Sequence, residues 1–136
     1  MDKNRIYLDT NIVADMIDAQ RDYHETSLEL LKTLMIEGYA VLISEDMLST
    51  LYYISNDKRA TLDFFENIIY VDWKVVPFEI DIVKEATHLS LTKELDLEDI
   101  LQCLCAKNNS CDMLITNDKK FVDCGMEIVN YESFLK

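Results

Sequence analysis

The chain has 136 residues, 49% of them hydrophobic, and a formal net charge of −13 from 26 acidic and 13 basic side chains. That length suits one domain around one core, and the charge excludes a broad electrostatic grip on nucleic acid, leaving open phosphate held through metal ions or a basic partner. No apolar run approaches the roughly 20 residues that cross a bilayer, and Met1-Asp2-Lys3-Asn4-Arg5 leads straight into a strand-like run rather than a signal-peptide core, so a soluble, cytoplasmic protein without membrane contact is expected.

In chain order, the first predicted strand covers residues 5 to 9 and ends at Asp9. Residues 11 to 18 read as a short helix, with Ile12, Val13, Met16 and Ile17 at helical spacing. A second helix spans 22 to 37, carrying Leu28, Leu31, Leu34 and Met35, with Gly38 as its stop. Strand 2 is Ala40-Val41-Leu42-Ile43, ending at Ser44. Helices follow over 45 to 55 (Leu48, Leu51, Tyr52) and 58 to 69 (Leu62, Phe65, Ile69). Strand 3 lies near Lys74-Val75-Val76. Residues 79 to 91 (Ile80, Val83, Leu91) and 97 to 108 (Leu97, Ile100, Leu101, Leu104) form two more helices. Strand 4 is Met113-Leu114-Ile115, a short helix is expected at 118 to 122, and Glu127-Ile128-Val129 is the last strand before a final turn at 131 to 135.

Strands separated by helices imply right-handed crossovers and a mostly parallel sheet. The short, uniformly apolar strands fit burial on both faces. The fold class is therefore α/β: a sheet of four or five strands between helical layers, with no linker or repeat to divide the chain. The four cysteines, Cys103, Cys105, Cys111 and Cys124, contain no C-x-x-C pair, and only His24 and His88 accompany them. A zinc site is not expected. Cys103 and Cys105 read as small hydrophobes inside a helix, in a chain of reduced thiols. Neither histidine is given a catalytic role.

Open parallel sheets place their sites beyond the carboxyl ends of the strands, where strand order reverses. Strand 1 ends in Asp9-Thr10-Asn11, strand 2 in Ser44-Glu45-Asp46 and strand 4 in Thr116-Asn117-Asp118. All three put acids at one predicted edge. Acids are also common in first helical turns, where they complement the dipole, so only the conjunction carries weight. Asp96 and Asp99 lie three apart in "LDLEDILQCLCAK". As an N-cap and a first-turn acid they would need no further role; turned toward strands 1 and 4, Asp99 would join the cluster. Two charges ~4 Å apart cost about 4 kcal/mol at an effective dielectric of 20. A converging set of acids therefore takes up protons or holds a cation. Oxygen ligands suit Mg²⁺ or Mn²⁺, which can activate water and neutralise a phosphate. That chemistry is phosphodiester hydrolysis, and no nucleophilic triad competes with it.

The stretches "YLDTNI" (7 to 12), "VLISEDMLSTLYYI" (41 to 54) and "LEDILQCLCAKNNSCDMLITNDKKF" (97 to 121) resemble PIN-domain ribonucleases in order and spacing. The tyrosine-rich "LYYI" is similar to the toxin-like, VapC-like branch. The resemblance spans nearly the whole chain and implies a single PIN-like domain over 1–136, a three-layer α/β/α sandwich, and carboxylates that bind Mg²⁺ or Mn²⁺ and cut RNA. By position it implies Asp9, Asp99 and Asp118 as catalytic and metal-binding acids, Asp96 as a neighbouring ligand, and Asn11 and Thr116 as supporting residues. It also implies RNA as substrate, a small antitoxin protein as partner, and a homodimer.

One position departs from that pattern. The acid usual in the helix after strand 2 is replaced by Thr50, which supplies no negative ligand; Asp46, one turn earlier, could reach the same side. Three alternatives stand beside the ribonuclease. A haloacid-dehalogenase-type phosphotransfer domain would want an acid where Asn11 stands. A response-regulator receiver would want an acidic pair at the end of strand 1. A PIN-like binding module with weakened or lost catalysis is favoured by Thr50 and by the charge.

Overall fold

The computed structural model describes residues 4–136, so the lead-in read at Met1-Asp2-Lys3 lies outside the described residues. Five strands form one sheet in the order β3-β2-β1-β4-β5, and every neighbouring pair is parallel. They are β1 (Arg5–Leu8), β2 (Ala40–Ser44), β3 (Lys74–Val76), β4 (Met113–Ile115) and β5 (Glu127–Val129). In register, Tyr7 of β1 lies between Leu42 of β2 and Leu114 of β4. Ile6, Tyr7, Leu8, Leu42, Ile43, Leu114 and Ile115 are all fully buried, as central parallel strands between helical layers must be.

The helices are α1 (Thr10–Ile17), α2 (His24–Ile36), α3 (Glu45–Ile54), α4 (Lys58–Phe64), α5 (Tyr70–Asp72), α6 (Ile80–Lys93), α7 (Leu97–Asn108) and α8 (Tyr131–Phe134). α1 packs on α2 and α3, and α8 closes against α2. α6 and α7 pack on each other, with α7 against β2 and β4. Two apolar clusters result, a larger one shared by the sheet, α1, α2 and α3, and a smaller one built from Ile82, Ala86, Ile100, Cys103, Leu104 and Val122. The expected four- or five-stranded sandwich is present with five strands. Among the described residues no helix is long and apolar enough to cross a membrane.

Local chemistry accounts for the element ends. Ser44 caps α3 through Met47 N (3.2 Å), Asp57 caps α4 through Ala60 N (3.0 Å), and Asn130 forms a capping box with Ser133 on α8. Gly38 stops α2 at φ 73°, a backbone conformation that costs a residue with a Cβ.

Several expectations are corrected. Residues 118 to 122 form a turn and not a helix, because the Asp118 carboxylate accepts from Lys120 N (2.9 Å) and closes the chain on itself. The helix read over 58 to 69 widens into a π-helical turn at Phe65–Ile69 and runs on through α5. α2 buries Ser27, Leu30 and Leu34 and leaves Leu28 and Met35 exposed, and α6 buries Ile82 and Ala86 in place of Ile80 and Leu91. Of the aromatic residues on α3, the π-helical turn and α5, Phe65 is buried while Tyr52, Tyr53 and Tyr70 are exposed. The cysteines are not all reduced: Cys103 of α7 is bonded to Cys124, with Cα atoms 6.1 Å apart, and Cys105 and Cys111 remain free. Spacing along the chain did not disclose that pair, because the turn after β4 brings position 124 back onto α7. Closing a loop of this length stabilises the fold by about 3 kcal/mol in the chain-entropy picture.

Candidate active site

Strand order reverses between β1 and β4: the chain runs from β1 outward to β2 and β3, then returns to the other side of β1 for β4 and β5. The crevice beyond the carboxyl ends of β1 and β4 is therefore the switch point. Asp9 stands in it, first residue after β1 and N-cap of α1. Its backbone N–H continues the sheet by donating to Ile115 O (3.0 Å), and the residue is 7% exposed. One oxygen, Oδ1, accepts from Thr10 N (2.9 Å); the other, Oδ2, accepts from the Thr116 hydroxyl (2.8 Å). Thr116 is the first residue after β4, and its N–H extends the ladder to Val129 O (2.9 Å). The same Thr116 oxygen accepts from Asp118 N (3.1 Å). One hydroxyl thus bridges the two strand ends and fixes the turn that presents Asp118.

Asp99 enters from α7. Asp96 caps that helix, its Oδ2 accepting from Asp99 N (3.0 Å). Gln102, one turn beyond Asp99 and buried, accepts the Tyr7 phenol O–H on Oε1, which seats α7 on β1. Burial pushes the Asp99 carboxyl up to about 6, and the negative charges of Asp96, Asp9, Asp118 and Glu98 add to the rise. Asp9 is raised in turn by burial and by Asp118, opposed by its bonds to Thr116 and Thr10. The acids therefore act on one another across the crevice.

The remaining expected residues lie around this centre. Asp46 is exposed in the first turn of α3, and Thr50 is half-buried one turn later on the same helix. Asn11 is exposed on α1, its Oδ1 3.4 Å from Arg21 Nη2. Sequence reasoning missed Glu98, an exposed first-turn residue of α7 whose carboxyl is raised by partial burial and then by the charges of Asp46, Asp9 and Asp96. Its place beside Asp99 in "LEDI" was the available signal. Also missed was the buried Asp15, which accepts from Arg21 Nε and from the Tyr131 phenol, both at 2.7 Å, and anchors α1 below Asn11.

An all-oxygen donor set in which neighbouring charges help raise Asp9, Glu98 and Asp99 fits a hard divalent cation, whose charge would relieve the repulsion. Among the described residues no three Asp, Glu, His or Cys side chains form a ready-made cage. A hydrated Mg²⁺ needs no such cage, since it commonly takes only one or two carboxylates directly and keeps waters for the rest.

A parallel five-stranded sheet with acids gathered at its switch point is the frame of a PIN domain, and the PIN domain model matches residues 6–125; the chain belongs to that family. Ribonuclease VapC1 of Aquifex aeolicus (strain VF5) is similar to it, 28% identical over 138 residues that cover 98% of this chain and 95% of the relative. Similar solved structures include Mycobacterium tuberculosis VapC20, a toxin that cleaves the sarcin-ricin loop (TM-score 0.71, 17% identity, 89% of this chain and 95% of that one). VapBC2 of Rickettsia felis, bound to a DNA fragment from their promoter, superposes with TM-score 0.67 at 21% identity over 93% of this chain and 98% of that one. A toxin–antitoxin complex from Klebsiella pneumoniae gives 0.69 at 16% identity over 93% and 97%. These structural likenesses establish the fold.

Proposed function

We propose that the chain is a metal-dependent endoribonuclease of the VapC type, the toxin of a toxin–antitoxin pair. The observation that carries this reading is the Thr116 hydroxyl, which ties Asp9 and Asp118 to one point at the sheet switch, with Asp99 near enough for both charges to raise its carboxyl. Kinship with a curated ribonuclease over 98% of the chain supports the activity. Asp9, Asp99 and Asp118 would hold Mg²⁺ or Mn²⁺, with Asp46 and Glu98 on the flank where Thr50 replaces the usual acid. The bound ion supplies an activated water and charge neutralisation at the scissile phosphate. The chain's own part is orientation. Both Asp9 oxygens are fixed by hydrogen bonds, so neither swings out of the crevice. Asp96 serves α7 as its cap and keeps Asp99 in register.

RNA is the substrate in this reading and a small antitoxin protein the partner, as relatives named for toxin–antitoxin complexes suggest. A homodimer is compatible with α3, where Tyr53 is 84% exposed beside the exposed Tyr52 and Ile54. Thr50 and the lack of a ready-made cage favour one second reading, a PIN-like binding module without catalysis. Purified protein incubated with RNA and Mn²⁺ decides between them. We expect cleavage by the native chain, loss of at least about 100-fold with Asp9→Asn, and a Mn²⁺-dependent rise in melting temperature that Asp9→Asn reduces. Absence of both cleavage and thermal shift in the native chain favours the module; equal cleavage by Asp9→Asn overturns the site.

A further inference from the structure

The Cys103–Cys124 bond joins the two elements that carry Asp99 and Asp118. Cys103 lies on α7 at i+4 from Asp99, on the same helical face one turn along. Cys124 lies six residues beyond Asp118, in a segment from 116 to 126 without helix or strand. The start of the segment is held by the Thr116 bonds to Asp9 and Asp118 and by the Asp118–Lys120 turn; beyond it, hydrogen bonds to α7 are few. Lys107, a further turn along α7, donates to Cys124 O (3.1 Å), Phe121 N donates to Asp118 O (3.1 Å), and Val122 is buried in the smaller cluster. The disulfide is therefore the link of fixed length between the helix of one acid and the loop of the other. It is also reachable. Cys103 is fully buried, but Cys124 is half-buried and lines an open pocket of about 200 Å³ with Leu89, Lys93, Leu95 and Lys107.

We propose that Cys103 and Cys124 form a reversible redox site that sets how firmly the Asp118 loop is held against the Asp99 helix, and so controls the acid centre. Its functional consequence rests on the nuclease reading. The reductant is a small dithiol entering at Cys124. Its thiolate attacks the Cys124 sulfur, the S–S bond breaks and Cys103 leaves; the second thiol of the reductant then displaces Cys124 as the dithiol closes into its own disulfide. Two electrons and two protons pass to the protein, leaving two thiols. The Lys107 bond and the burial of Val122 persist, so the loop loosens while the fold survives. The Thr116 bonds hold Asp118 in both forms, and the oxidised protein adds the covalent tie of its loop to the Asp99 helix.

The test uses the native chain, oxidised, reduced with dithiothreitol and desalted without oxygen, and then reoxidised, with thiols counted at each stage. Circular dichroism confirms that the fold persists. We expect reduction to remove hydrogen-exchange protection from 116–124 selectively, to lower Mn²⁺ affinity and RNA cleavage by about 10-fold or more, and reoxidation to restore both. Cys124→Ser should behave as the reduced form whatever the redox state. Equal exchange, affinity and cleavage in the oxidised and reduced chains overturn the redox site and leave the nuclease reading intact. An oxidised chain that neither binds Mn²⁺ nor cuts RNA overturns the nuclease reading and the proposed control with it, while the exchange data still report whether the clamp exists.

Discussion

Thr116 shows how much a single hydroxyl can organise. It donates its proton to Asp9 Oδ2 and accepts from Asp118 N, so it uses both of its hydrogen-bonding roles on acids it must keep in place. A valine of similar shape would fill the space and lose both bonds. Thr116→Val is expected to weaken Mn²⁺ binding and cleavage by about 10- to 100-fold, the range seen when groups that orient metal ligands are removed. Thr116→Ser, which keeps the hydroxyl, is expected to retain most activity; isothermal titration with Mn²⁺ and a cleavage assay on both variants check this. Asp9, Thr116 and Asp118 could be placed at one sheet edge from the sequence, because each follows a strongly patterned strand, whereas Asp99, a first-turn acid of α7, joined them only through the family resemblance. Glu98 was missed. A first-turn acid on a capped helix has a complete local explanation, and only the fold turns it toward Asp46 and Asp9.

At the scale of elements, α7 carries both a structural and a candidate functional acid, and the two can be separated. Asp96 is an N-cap, so Asp96→Asn keeps an oxygen for Asp99 N while removing the charge. It is expected to leave stability within a few tenths of a kcal/mol and to retain cleavage. Asp96→Ala is expected to cost about 1 kcal/mol of stability, read by denaturant melts. Loss of cleavage in Asp96→Asn at unchanged stability would instead make Asp96 a ligand.

The strands and most helix limits were readable because apolar runs and caps are local signals. Helix faces were less so. In α2 and α6 apolar residues occur on more than one side, and spacing alone does not say which side meets the sheet: Leu28, Met35, Ile80 and Leu91 all point outward. The turn at 118 to 122 was misread because Asp118 prefers to close on Lys120 N rather than start a helix. The disulfide depended on where that turn carried the chain, which no local pattern encodes.

Over the whole molecule, charge opposes the metal-free fold. The chain bears −13, and its candidate site concentrates carboxyls whose affinity for protons is raised. Asp99 holds its proton until about pH 6 when folded, while an unperturbed aspartate releases it near 3.8. The folded state thus binds more protons than the unfolded state in that window, so stability falls as pH rises through it. In EDTA the melting temperature is expected to be higher at pH 5 than at pH 7.5. Asp99→Asn should flatten that difference and raise the value at pH 7.5, and Mn²⁺ should raise it in the native chain alone. A melting temperature that climbs from pH 5 to pH 7.5 in EDTA contradicts the assignment of Asp99 to a crowded acid centre.

The edges of the sheet have a consequence for how the protein can meet other copies of itself. β3 and β5 each contribute only three residues, Lys74–Val76 and Glu127–Val129, and each opens with a charged side chain that is exposed. Such brief, charged margins give a foreign strand too little ladder to grip. Fibril-like growth by adding strands is thereby discouraged even though the interior strands are among the most apolar parts of the chain. Self-association, where it occurs, is left to helical surfaces.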